Sequence, residues 1–272
     1  YFVITFGPLL ISLEKKIAQE NNFNFLSYDI FGMPRKLNLT FLKWLIKLQM
    51  ATFKALFYCY KYKPAAIFGT GGYASAPVLW SAALHGIPSL IQEQNSYAGV
   101  TNKTLGRKAE KICVAYEGME RFFPKERIVL TGNPVRQDLF GSDIDREEAF
   151  RFFELKSNVP TILVIGGSLG ARTINYAMIA GLRQFADAGI QVLWQTGKYY
   201  YAECKTAAIG HDGIVATEFI SRMDYAYAVA DVVISRAGAS SISELCLLGK
   251  AAILVPSPNV AEDHQTCNLP HS

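Results

Sequence analysis

The chain has 272 residues, 50% hydrophobic and 18% charged, with 21 glycines and 11 prolines. That profile excludes collagen, coiled coil and long disorder, and it leaves room for one or two domains, each able to bury a core. The net charge of +4 hides an asymmetry: residues 1–137 carry 17 Lys and Arg against 8 Asp and Glu, whereas residues 138–272 carry 10 against 15.

No apolar run approaches the roughly 20 residues that a membrane-spanning helix needs. The five cysteines (Cys59, Cys113, Cys204, Cys246, Cys267) form no C-x-x-C pair and no cluster with histidine at metal-ligand spacing. No metal is therefore expected, and the cysteines read as reduced, buried thiols. The chain starts at Tyr1 without Met, in the apolar run Tyr1–Phe6, with no signal-peptide pattern, and it stops at Ser272 just after a strand-and-loop pattern. Both ends read as cut from a longer protein.

In chain order, the first notable stretch lies between Asp29 and Glu93, which holds no acidic residue. Within it, Lys43, Lys47, Lys54 and Lys61 in Leu39–Tyr60 and just beyond are spaced 4, 7 and 7 apart, one stripe of a helix. Trp44, Leu48, Phe57 and Tyr58 fall near that stripe, and Arg35, Lys36 and Lys63 flank it. Such a face suits an anionic membrane surface. A core-packed helix with a solvated lysine face explains the same pattern, and nucleic acid is a third option with no recognised module to support it. The acid-free run tips the reading toward the membrane.

Nine short apolar runs then read as strands: Ala65–Phe68, Ser89–Gln92, Lys111–Ala115, Ile128–Thr131, Thr161–Ile165, Gln191–Gln195, Gly213–Phe219, Asp231–Ser235 and Ala251–Val255. Most are separated by enough residues for a helix, the signature of a doubly wound, parallel α/β fold. The break falls at Thr131-Gly-Asn-Pro-Val-Arg136, where the charge changes sign. Two domains are expected, 1–137 and 138–272.

Three glycine-rich turns follow strands: Gly69–Ser75, Gly166–Arg172 and Arg236–Glu244. Glycines let the backbone approach a ligand, and a helix start offers N–H groups to a phosphate. Tight turns alone account for any one of them, but three favour a pyrophosphate ligand. None is G-x-G-x-x-G or a Walker loop, so NAD and ATP are disfavoured. Glu244 closes Ser241-Ile-Ser-Glu244, which taken alone is a capping box; a carboxylate at that place also suits a ribose.

Five motifs in register, Gly69–Ser75, Gln92-Glu-Gln-Asn-Ser-Tyr-Ala-Gly-Val-Thr-Asn102, Thr131–Arg136, Gly166–Arg172 and Ser235–Glu244, resemble the MurG family, the bacterial UDP-N-acetylglucosamine (UDP-GlcNAc):lipid I N-acetylglucosaminyltransferases of peptidoglycan synthesis. The resemblance implies a GT-B fold of two Rossmann-like domains, here both incomplete. It implies an inverting, metal-independent transfer of GlcNAc to the 4-hydroxyl of the undecaprenyl-linked acceptor, peripherally at the cytoplasmic face of the inner membrane. No cofactor and no nucleic acid are implied. Residues carried over to the donor site are Ser168 in the Gly166–Gly170 turn (diphosphate), Ile220 (uracil), Ala239, Ser240, Ser241, Ile242 and Ser243 (nucleotide loop), Glu244 (ribose), and Asn95, Arg136 and Gln265. Gly69, Thr70, Gly71, Gly72 and Tyr73 match the loop for the acceptor diphosphate. Lys43, Trp44, Lys47, Leu48 and Lys54 are expected to face the membrane.

The sequence departs from the family in lacking its Gly-Gly-Thr-Gly-Gly-His loop, so no general base is assigned. His85, His211, His264 and His271 do not match that loop. His264 adjoins the donor motif as a candidate contact, with a surface loop position as the bland alternative. Glu93 reads as a buried structural carboxylate. The alternative to an enzyme is a non-catalytic fragment that binds nucleotide-sugar or membrane.

Overall fold

A computed structural model describes residues 2–6, 10–34, 36, 38–139, 144–257 and 264–268, in two units, Tyr1–Gly132 and Asn133–Ser272. The first unit begins with β1 (Phe2–Phe6), α1 (Leu10–Glu20) and β2 (Asn24–Tyr28). The two strands pair in parallel, Phe2 opposite Asn24. Neither is among the nine strands expected from sequence.

The long α2 (Leu39–Tyr62) starts where the Asn38 side chain accepts the N–H groups of Thr40 and Phe41, and it ends with Lys63 in the left-handed region (φ 42°). Then come β3 (Ile67–Gly69), α3 (Gly72–Leu84), β4 (Ser89–Glu93), α4 (Val100–Leu105), β5 (Lys111–Val114) and β6 (Ile128–Leu130). Strands β3 to β6 form a parallel sheet in sequence order. Its core gathers Leu79, Ile91, Leu105, Ile112, Val114 and Phe123. A smaller cluster, Ile30, Ala51, Ala55 and Val78, lies under α2.

The second unit holds α5 (Arg146–Phe152), β7 (Thr161–Ile165), α6 (Arg172–Asp187), β8 (Gln191–Gln195), α7 (Tyr201–Ala208), β9 (Ile214–Thr217), α8 (Met223–Val229), β10 (Val232–Arg236), α9 (Ala239–Leu247), β11 (Ala251–Val255) and α10 (His264–Asn268). The sheet order is β11-β10-β7-β8-β9, every pair parallel. Alternation along the strands feeds two cores. Leu163, Ile165, Leu193 and Val233 join the cluster with Tyr225, Tyr227 and Leu245, while Val164, Val192 and Trp194 join Ile174, Met178 and Cys204 on the other face.

Cys204 is fully buried, and desolvation, then the Glu203 charge, push its thiol up to about 11. Cys246 is exposed. Because the thiolate is the reactive form, iodoacetamide at pH 8 should alkylate Cys246 in the native protein and reach Cys204 only after unfolding. Equal native labelling would contradict this packing.

Candidate functional site

In the second unit the chain crosses from one side of the sheet to the other at β7, whose neighbours are β8 and β10. That is a topological switch point, and ligands of open α/β sheets bind outside the carboxyl ends of the strands there. The last paired residues of β7 and β10 are Ile165 and Ser235, so the turns that follow them lie side by side. Both are glycine turns.

After β7, Gly167 and Gly170 take φ of +81° and +91°. A Cβ on Gly170 would run into the Thr196 carbonyl and the Tyr200 ring. The turn is pinned by Gly170 N–H to the Gly167 carbonyl (3.1 Å) and by Lys198 N–H to the Ser168 carbonyl (3.1 Å). Ser168 is exposed on it. Helix α6 then begins behind Ala171 with no side chain capping its first turn. After β10, α9 begins behind Gly238, again without a side-chain cap. Two helix starts at adjacent strand ends thus keep their first N–H groups for a ligand, the arrangement that receives anionic groups.

Helix α9 starts at Ala239, so Ser241 and Glu244 lie inside it and the capping box does not form. Glu244 is held elsewhere: Oε2 accepts the Tyr227 hydroxyl at 2.8 Å, and Oε1 lies 3.6 Å from Arg136 Nε. Its side chain keeps 16% exposure. Burial, then the Glu244 charge, push the Tyr227 phenol far above its ordinary range. Ser243 Oγ donates to the Ala239 carbonyl (2.9 Å) and accepts from Asn133 Nδ2 (3.1 Å). Asn133 and Arg136 therefore tie the Gly-Asn-Pro segment to α9. Ser240 is exposed, while Ile242 faces the core and has only backbone to offer.

Ile220 buries its side chain in the core and gives its N–H to Gln195 Oε1 (3.0 Å). Gln265 Oε1 accepts Ser257 N–H at 2.8 Å. His271 lies outside the described residues, as does the His264 side chain. Among the described residues no three His, Cys, Asp or Glu side chains converge as a metal site would require.

Asn95 belongs to the first unit, where its N–H (3.1 Å) and Nδ2 (3.5 Å) reach Glu93 Oε1. Glu93 is 3% exposed and its other oxygen accepts from Gly99 N–H (3.0 Å) and Asn102 Nδ2 (2.9 Å). Four donors on one buried carboxylate make it a structural hub, as the sequence indicated. The loop Gly69–Tyr73 enters α3 through Gly71 at φ +87°, backed by Asn102. Thr70 is tied by its carbonyl to Gln94 Nε2 (3.1 Å). Gly72 and Tyr73 form the first turn of α3, where Tyr73 is 39% exposed.

On α2, Trp44 and Leu48 turn away from the expected surface: Trp44 buries its indole N–H and Leu48 packs on the Ala51–Ala55 cluster. The exposed apolar stripe is instead Leu42, Ile46, Met50, Phe53 and Phe57. At 100° per residue it runs beside Lys43 and Lys54. Lys47 is ion-paired with Asp29, and Lys54 donates to the Ser27 carbonyl at 3.0 Å. Arg35 lies outside the described residues. Among the described residues no helix is long and apolar enough to cross a membrane.

Residues 11–114 match the N-terminal domain model of glycosyltransferase family 28, and residues 161–269 match its C-terminal domain model. The chain belongs to glycosyltransferase family 28. Within it, the relatives are of the MurG type. A protein of Parabacteroides distasonis named UDP-N-acetylglucosamine–N-acetylmuramyl-(pentapeptide) pyrophosphoryl-undecaprenol N-acetylglucosamine transferase is 62% identical over 210 residues, 76% of this chain and 57% of the relative. Its namesake in Cytophaga hutchinsonii is 54% identical over 256 residues, 94% of this chain and 69% of the relative. The crystal structure of Acinetobacter baumannii MurG matches with a TM-score of 0.69 at 32% identity, over 95% of this chain and 71% of that one. The chain thus spans between 57% and 69% of the length of these two relatives. Both units are of the α/β, GT-B type of this family.

Neither Tyr227 nor Asn133 stands out in the sequence, although both contact α9 here and Asn133 lies in the Thr131–Arg136 motif. Tyr227 stands in the apolar run Tyr225–Val229 and reads as core, which its ring is. Only the fold brings its hydroxyl to Glu244.

Gly170→Ala should lower the melting temperature more than Gly210→Ala, although both glycines have positive φ, because Gly210 has open space where a Cβ would go. Strain alone is worth about 1–3 kcal/mol at either site. Equal losses in a melting experiment would contradict the packing of the turn.

Proposed function

We propose that the chain carries an inverting, metal-independent transfer of N-acetylglucosamine from UDP-GlcNAc to the 4-hydroxyl of the N-acetylmuramyl sugar of lipid I, giving lipid II. The observation that carries this reading is the pair of uncapped helix starts at the β7–β10 switch point, with Glu244 in the second turn behind one of them. The relatives' names support the substrate assignment.

In this reading the Gly166–Gly170 turn, with Ser168, receives the diphosphate. Glu244 takes the ribose hydroxyls, the Ile220 backbone meets the uracil, and Ala239–Ser243 surround the nucleotide. Gln265 reaches the GlcNAc hydroxyls. Asn95 is assigned to the donor side as well. As the acceptor oxygen attacks C1, negative charge grows on the departing UDP, and the two helix starts together with Arg136 stabilise it without a metal. Glu93 is committed to four hydrogen bonds and is not offered as the base; no residue of the chain is assigned that role.

The first unit takes the acceptor, its diphosphate on Gly69–Tyr73 at the start of α3. The acceptor is membrane-linked, so we assign the unit to an anionic surface, peripherally at the cytoplasmic face of the inner membrane. The support is the stripe Leu42, Ile46, Met50, Phe53 and Phe57 beside Lys43 and Lys54. Lys47 is on the same side of α2, but its pair with Asp29 offsets its charge. Nucleic acid has no part in this reading.

Two measurements test it. Glu244→Ala should weaken UDP-GlcNAc at least about tenfold by calorimetry, the value of one charged hydrogen bond; an unchanged affinity would remove the donor assignment. Lys43→Glu with Lys54→Glu should cut co-sedimentation with phosphatidylglycerol vesicles strongly, at about 1 kcal/mol per removed cation and more for reversal. Phe53→Ser with Phe57→Ser should do so independently of salt, and vesicle binding unaffected by either pair would contradict the surface assignment.

A further inference from the structure

A carboxylate that reads a sugar must be held still, because a glutamate on a helix surface samples several rotamers and loses that freedom when a ligand orders it. Glu244 has two candidate tethers. Arg136 is half-exposed and stands 3.6 Å away, beyond good hydrogen-bond distance. Tyr227 is 3% exposed, belongs to the core cluster of Leu163, Val233 and Leu245, and donates at 2.8 Å. The rigid tether is the tyrosine.

We propose that Tyr227 is a positioning residue of the donor site: its hydroxyl fixes Oε2 of Glu244 so that the remaining acceptor positions of the carboxylate face the ribose hydroxyls, and it thereby sets the preference for a ribonucleotide over a deoxyribonucleotide. The inference rests on the donor reading of Glu244. A carboxylate offers about four acceptor positions, and Tyr227 fills one, leaving enough for two hydroxyls. Burial and the neighbouring negative charge keep the phenol protonated, so it remains a donor across the working pH range. A site built to accept from two hydroxyls discriminates against a ligand that lacks one only if the acceptor cannot swing to another partner. The core packing of the Tyr227 ring provides that constraint.

The test compares UDP and 2′-deoxy-UDP by calorimetry on this chain and on Tyr227→Phe, with melting temperatures measured alongside. The variant should bind UDP on the order of tenfold more weakly, and its UDP to 2′-deoxy-UDP affinity ratio should fall toward one. In a Glu244→Gln background, Tyr227→Phe should add less than about twofold, because the two act through one contact. Glu244→Asp, which withdraws the carboxylate without touching the core, should lose the same selectivity. A Tyr227→Phe protein that binds UDP with unchanged affinity and ratio overturns the inference whatever its stability, as does selectivity kept in Glu244→Asp. If the unaltered chain binds no UDP, the donor reading fails and this inference falls with it; if it binds UDP and only the Tyr227 effects are missing, this inference alone is wrong.

Discussion

The parallel pairing of β7 with β10 is the constraint on which the second unit depends. Strand β7 is largely buried and β10 buries alternate residues, both are satisfied by neighbours on either side, and their register sets Ile165 opposite Ser235. A one-residue slip would exchange the faces of a strand and turn its core residues outward, so hydrophobic burial fixes the register. That register in turn lines up the two glycine turns and the two helices behind them. The side-by-side placing of the two uncapped helix starts is therefore a consequence of core packing.

Two glutamates, one at the end of a strand and one within a helix, show how environment divides labour. Glu93, at the end of β4, accepts four hydrogen bonds and is buried. It organises its own loop and the start of α4, close to where Asn102 backs Gly71. Glu244 accepts one firm hydrogen bond and keeps part of its surface open. Saturation makes the first a structural element. The second is incompletely saturated, with one rigid donor behind it, and this is the feature on which its proposed ribose role rests.

Much of this was legible in the residues. Runs such as Thr161–Ile165 and Gln191–Gln195 coincide with β7 and β8, because central strands covered on both faces are mostly apolar. Ala251–Val255 coincides with β11, although that strand is a largely exposed sheet edge. The glycine turns were legible because positive φ and close approach leave few alternatives to glycine. Helix α2 was legible in extent but not in orientation. Periodicity gives angles between residues around an axis, not which side meets the core. Here the buried side is lined by the small residues Ala51, Ala55 and Cys59, while Phe53 and Phe57 point outward, so size misdirects the reading of Trp44 and Leu48. The Ser241–Glu244 spacing imitates a cap, but α9 starts two residues before Ser241. Tyr227 carries no sequence signal at all, since its partner lies 17 residues away on another helix.

The central claim is that the second unit binds UDP-GlcNAc at the β7–β10 switch point. A thermal-shift titration with UDP-GlcNAc, run beside NAD and UDP-glucose, tests it most directly, because a ligand that binds only the folded state must raise the melting temperature. The account predicts a saturable rise with UDP-GlcNAc, a smaller one with UDP-glucose and none with NAD. A cooperatively melting sample that shows no rise with UDP-GlcNAc, or an equal rise with NAD, would contradict it.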